Sequence, residues 1–174
     1  FTGREYGAFT VLKPDLAAIH VTMADIYGNA IMLGTEWSRY ELSRAAKKVV
    51  LQADFIVDTD RMRQFPNLVR IPDVVVDAVV YWPLGAWPQC STGVYDSDEK
   101  EMFAMNAALK TDEGYQEYRK KYVDSYTTWE EYLDVIGAEK VAQLTNNPTT
   151  FLMDPYRKWI KSDAEIKRLM EEGR

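Results

Sequence analysis

Pro14-Asp15-Leu16-Ala17-Ala18-Ile19-His20-Val21, followed by Ala24-Asp25-Ile26-Tyr27-Gly28-Asn29, is the stretch that decides the fold. The apolar run is short and carries β-branched residues, which predicts a buried strand rather than a helix. Gly28 and Asn29 tolerate φ > 0, so a tight turn follows the strand. Ala30-Ile31-Met32-Leu33 then reads as a second short strand ending at Gly34. From Glu36 to Lys47 the apolar period becomes helical, through Trp37, Tyr40, Leu42 and Ala45, and Ser38-Arg39-Tyr40-Glu41 fits a capping box. Lys48–Ala53 is another strand-like run.

A third core run, Val74–Trp82, is apolar on both faces apart from Asp77 and is expected to be a strand covered by helices on both sides. It stops at Pro83-Leu84-Gly85-Ala86-Trp87-Pro88, where two prolines and a glycine end any ladder. After Tyr95 the pattern is helical. Asp98 with Glu101 and Thr128-Trp129-Glu130-Glu131 look like helix starts, Gly137 a helix end, and Ser162-Asp163-Ala164-Glu165 caps the last helix. Asp154-Pro155 is expected to open a short helix. The Met102/Met105 and Tyr115/Tyr118/Tyr122 stripes read as core or subunit interface. The fold class is therefore α/β, with a Rossmann-like, mostly parallel sheet in residues 1–95 and a helical C-terminal extension in 96–174, one domain overall. Three or four strands make a thin sheet, so further sheet upstream or a partner chain is expected at its edges.

Composition narrows the function. The 174 residues are 47% hydrophobic and 28% charged, as in globular proteins, and the net charge of −6 disfavours nucleic acid and anionic membrane as partners. No apolar run approaches the length of a membrane span. One Cys (Cys90) and one His (His20) cannot build a Cys/His zinc site, so no metal is expected. The single Cys also fits a reducing compartment, and the expected location is cytoplasmic. No glycine-rich dinucleotide or phosphate loop and no nucleophile elbow is present. The chain opens on Phe1-Thr2-Gly3 with neither an initiator Met nor a signal pattern, which predicts processing or a piece of a longer chain.

The candidate site residues lie at strand ends. Gly28 and Asn29 follow the first strand, Glu36 and Trp37 follow Gly34-Thr35, and Gly85 and Ala86 leave the last core run where open α/β sheets usually hold ligands. Gly85 and Ala86 are small enough for close backbone approach. His20 is the residue that titrates near neutrality, but within an apolar strand it reads as a hydrogen-bonded core or interface histidine. Asp77 reads as a brace for a neighbouring loop, and Cys90 as an inert thiol.

In order and spacing these blocks resemble the A (alpha) chains of class I CoA-transferases, most closely the glutaconate CoA-transferase branch. The resemblance is carried by Pro14–Val21, Ala24–Asn29, Ala45–Val50, Ile71-Pro72 with Val76–Val80, Pro83–Pro88, Tyr118–Val123 and Trp129–Leu133, from about Lys13 to Leu144. It implies a protein that works with a B (beta) subunit, in a heterotetramer, on a coenzyme A thioester and an organic acid of dicarboxylic type. It also implies no permanently bound cofactor. In the family a glutamate of the beta subunit forms the covalent intermediates, so no catalytic nucleophile is expected in this chain. The family's glycine-rich N-terminal loop has no counterpart here. The alternatives are a CoA-thioester ring-cleaving hydrolase or a decarboxylase on the same scaffold, or a non-catalytic structural subunit. Similarity to a sugar-phosphate isomerase domain ranks last, because the expected acid/base motifs are missing.

Overall fold

Alternation along the first strand, β1 (Leu16–Ala24), buries Ala17, Ile19 and Val21 on one side of the sheet. Along β3 (Lys48–Ile56), Val49, Leu51 and Ala53 do the same. The computed structural model describes residues 3–5 and 7–172. In it β1 and β3 run parallel from Leu16↔Lys48 to Ala24↔Ile56. β4 (Ala78–Tyr81) pairs parallel with β3, and β2 (Ala30–Ile31) pairs antiparallel with β1, giving the order β2-β1-β3-β4. The mostly parallel α/β sheet expected from the sequence is the one observed.

Helices follow in the order α1 (Arg39–Ala45), α2 (Thr59–Gln64), α3 (Glu99–Ala108), α4 (Asp112–Tyr122), α5 (Trp129–Ile136), α6 (Ala138–Thr145) and α7 (Asp163–Glu171). Leu42 of α1 and Ile166 of α7 cover the buried face of the sheet. α7 is fastened there by the Tyr81 hydroxyl, which donates to Asp163 (3.0 Å), and by Lys167 against Glu130 of α5 (2.7 Å). α5 and α6 close a second apolar cluster, Leu84, Tyr95, Tyr132 and Leu144, over the loop that leaves β4. Tyr132 donates to the Leu84 carbonyl from within it (2.9 Å).

The turn after β1 is built by one carboxylate. Asp25 is fully buried, and its Oδ1 accepts from the backbone N–H of Tyr27, Gly28 and Asn29 at 2.9–3.0 Å. Its Oδ2 accepts from Asn29 Nδ2 (2.9 Å), while Asn29 Oδ1 accepts from the N–H of Asp73 (3.1 Å). Gly28 has φ +108, and a Cβ there would stand 2.7 Å from Val76. Glycine is thus required twice over, by backbone conformation and by space. Asp77 braces the start of β4, accepting from Val49 N–H (2.8 Å) and Lys48 Nζ (2.6 Å).

Some expected elements differ. The apolar run from Val74 does not form one buried strand: Asp73–Val75 is a 3-10 turn, and β4 is a half-exposed edge of four residues. Pro72 and the Asn29–Asp73 hydrogen bond hold the chain in that turn. The second strand is two residues, not four. The Ser38 capping box is not formed, because Ser38 sits at φ −94, ψ 16 rather than in an extended cap; α1 starts instead from a turn in which Arg39 N–H donates to the Glu36 carbonyl (3.1 Å). Asp154-Pro155 opens no helix but lies in a turn between two 3-10 segments, with Arg157 Nε donating to Asp154 (2.9 Å). The capping boxes at Thr128 and Ser162, the Asp98 cap and the Gly137 helix end are present.

Gly28→Ala should lower unfolding stability by about 2–4 kcal/mol in urea titration, the sum of a left-handed backbone and an overpacked contact. Asp98 is buried, which works against its charge, but bonds from Lys140, the Glu101 N–H and Trp87 Nε1 outweigh that and hold its carboxyl below the usual range. A carboxyl held below its unfolded value stabilises the fold above that value and loses its contribution as the pH falls through the folded one. Lys140→Met should cost about 1–3 kcal/mol at pH 7 by the same titration, and much less at pH 2.

Candidate functional site

The sheet's second face is bare at the N-terminal end of the strands, where Leu16 and Ala18 are exposed, and roofed by loops at the C-terminal end. His20 of β1 and Gln52 of β3 stand in register under that roof, and Val80 of β4 continues the row at the exposed edge of the sheet. Further along β3, Asp54 Oδ2 lies 3.0 Å from His20 Nε2, with side chains 1% and 13% exposed. A carboxylate only accepts, which assigns this proton to Nε2. His20 Nδ1 and Asp54 Oδ1 are buried with no hydrogen-bond partner among the described residues. Leaving such an atom unpaired costs about 1–3 kcal/mol, so native proteins pair nearly all of them with protein, water or ligand.

His20 forms part of the wall of a cavity of about 190 Å³. Thr35, Trp37 and Arg39 wall one side, Cys90, Ser91 and Thr92 the other. Thr22 Oγ1 accepts from Leu33 N–H (3.1 Å), pinning the first loop to β1. Gly34 lets the two loops meet, since a Cβ there would collide with the Thr92 side chain. Arg39 has no ion pair among the described residues, so the cavity holds one unneutralised cation, the four hydroxyls of Thr22, Thr35, Ser91 and Thr92, and an imidazole. That set suits a small organic anion, a carboxylate above all. Among the described residues no group of three or more His, Cys, Asp and Glu is arranged to hold a metal ion.

The residues expected from the sequence fall around three hollows rather than one. Trp37 stands on the rim of the His20 cavity, 79% exposed and at φ +50. Glu36 pairs with Arg70 through both carboxylate oxygens and ties the start of α1 to the segment before β4. Gly85 packs against the Gln52 side chain on a second hollow, walled by Trp87, Tyr118 and Tyr122. Ala86 N–H donates to the Tyr95 hydroxyl (2.8 Å), whose pKa burial raises far above the ordinary tyrosine value. The Trp87–Pro88 peptide beside it is cis. Asn29 borders a third hollow, its amide engaged at both ends within the Asp25 turn. Asp54, Arg39, Ser91 and Thr92 were not among the expected site residues. Asp54 had a readable signal: a carboxylate in a strand run, two residues from Gln52 and therefore on the same face.

No protein-family model matches the chain. It is 39% identical over 140 residues to an uncharacterized protein of Archaeoglobus fulgidus, a match covering 80% of this chain and 31% of that one. It is 30% identical over 142 residues to the A chain of glutaconate CoA-transferase from Acidaminococcus fermentans (82% and 44%). A third relative is the A chain of 3-oxoadipate CoA-transferase from Pseudomonas knackmussii, 26% identical over 140 residues (80% and 49%). The crystal structure of the Acidaminococcus glutaconate CoA-transferase superposes with a TM-score of 0.71 at 30% identity, over 77% of this chain and 42% of that one. The chain thus spans less than half the length of each of these relatives. By sequence and by fold, it is a homologue of the A (alpha) chains of CoA-transferases of the glutaconate type.

Proposed function

We propose that this chain forms part of the alpha subunit of a CoA-transferase, moving CoA between an acyl-CoA and an organic acid of dicarboxylic type. The observation that carries this reading is the shared fold and 30% identity with glutaconate CoA-transferase. The protein acts with a beta subunit that supplies the nucleophilic glutamate, and the open face of the sheet, with Leu16 and Val80 exposed, is available to such a partner. A heterotetramer, a cytoplasmic site of action and a CoA thioester as substrate rather than a resident cofactor belong to the same reading; no helix among the described residues is long and apolar enough to cross a membrane.

The cavity gives the chain a definite share of the work. Asp54, buried and bonded to His20, is not placed to attack a thioester; in this reading the attacking carboxylate is the glutamate of the beta subunit. That glutamate displaces CoA thiolate from the acyl-CoA to give a mixed anhydride. The thiolate attacks the glutamyl carbonyl, releasing the first acid and leaving a glutamyl-CoA thioester; the second acid then reverses the sequence. A dicarboxylic acid has one carboxylate to react and one to spare. Arg39 with Thr35, Ser91 and Thr92 holds the spare one, and this remote binding energy aligns the reacting end. Trp37 closes the rim, while Gly28, Asn29, Glu36, Gly85 and Ala86 lie outside this cavity, on the turns and loops around it.

The His20–Asp54 pair favours one second reading, hydrolysis of a CoA thioester by water activated at His20. Release of free CoA with no acceptor acid present would identify it.

The full-length protein purified from its source should carry a second, different polypeptide and transfer CoA to dicarboxylic acids. A lone monomer or homodimer without transfer would overturn the proposal. Arg39→Met should raise KM for the acid about 10–100-fold, the worth of one charged hydrogen-bond pair, leaving KM for the acyl-CoA less affected. Trp37→Gly should not lower stability, gaining up to about 1 kcal/mol from the relieved left-handed backbone, while weakening acid binding.

A further inference from the structure

A larger cavity, about 500 Å³, is walled by Tyr40 and Arg44 of α1, Arg63 of α2, and Pro66, Arg70 and Pro72 before β4. In a chain of net charge −6, three guanidinium groups around one hollow stand out against the background. One of the three is fully paired, one weakly and one not at all. Arg70 is forked on Glu36, and Arg63 meets Asp60 at 3.3 Å in a largely exposed pair of little energetic worth. Arg44 has no ion pair among the described residues; its guanidinium lies 4.4 Å from the centroid of the Tyr40 ring. Stacking of this kind fixes the plane of a guanidinium while leaving its N–H donors for another acceptor. Asn29 also borders the hollow, but its bonds to Asp25 and Asp73 make it wall rather than ligand.

We infer that this cavity binds a phosphorylated small molecule of nucleotide type. The phosphates lie against Arg44 and Arg63, and a flat ring packs between Tyr40 and the two prolines. Guanidinium forks match phosphate oxygens in geometry and charge, and a volume of this order accommodates such a ligand. The site is separate from the His20 cavity and does not depend on the transferase reading. Under that reading the source is the phosphoadenosine end of CoA; otherwise it is a free nucleotide or pyrophosphate.

Isothermal titration of the full-length protein with CoA, ADP, inorganic pyrophosphate and phosphate-free pantetheine tests the site without any activity measurement. The expected result is saturable binding of the phosphorylated probes, weakened about 10-fold or more by Arg44→Met, with pantetheine insensitive to that substitution. CoA binding more tightly than ADP and pyrophosphate identifies CoA as the source; equal binding identifies the free phosphates. Arg63→Met is measured in parallel and decides the question if Arg44→Met does not fold. Phosphorylated probes that do not bind, or that bind equally to both variants and the unmodified protein, would overturn the proposal.

Discussion

The structure turns on the buried Asp25 carboxylate. A charge placed out of water is tolerated only when donors replace the lost hydration, and four N–H donors converge on this one. Gathering them folds Tyr27, Gly28 and Asn29 into one turn, which returns the chain as β2 beside β1. Through Asn29 the same carboxylate reaches Asp73, and the Ala30 N–H donates to the Ile71 carbonyl at 2.8 Å, so the segment before β4 is tied to the same point. The chain leaving β2 is then carried over the open face of the sheet, where Leu33 N–H finds Thr22. Position of the loop that carries Thr35, Trp37 and Arg39 thus descends from a side chain outside the cavity.

Parallel strands supply the other half. Register between β1 and β3 puts His20 opposite Gln52 and brings Asp54 within hydrogen-bond distance of the imidazole. Because the strands run the same way, their C-terminal ends and loops gather at one edge, the usual place for ligands in open α/β sheets. The helical half of the chain contributes indirectly. Tyr132 and Tyr95 hold the loop after β4, and that loop runs on to Cys90, Ser91 and Thr92.

β1 and β3 were legible because β-branched residues alternate through short runs, and the helix starts at Thr128 and Ser162 because their side chains and the acidic residue three on form reciprocal hydrogen bonds. Val74–Val76 misled because apolarity says nothing of backbone direction: a proline before it and the hydrogen bond that Asp73 N–H donates to the distant Asn29 side chain decide the turn. Ser38 had the right neighbours for a cap but the wrong backbone, set by Trp37 at positive φ. Resemblance to the alpha chains of CoA-transferases was readable as ordered blocks. The cavity was not, since Arg39, Asp54 and Ser91 lie far apart in sequence and meet only through the register of two strands and the contact of two loops.

The central claim is that the His20 cavity holds the carboxylate of an organic acid. The most direct measurement is a crystal structure of the complete assembly soaked with glutarate. The account predicts a glutarate carboxylate between Arg39 and the hydroxyls of Thr35, Ser91 and Thr92, with the far carboxylate directed out past Trp37. Glutarate bound elsewhere, with this cavity filled only by water and Arg39 turned to solvent, would contradict it.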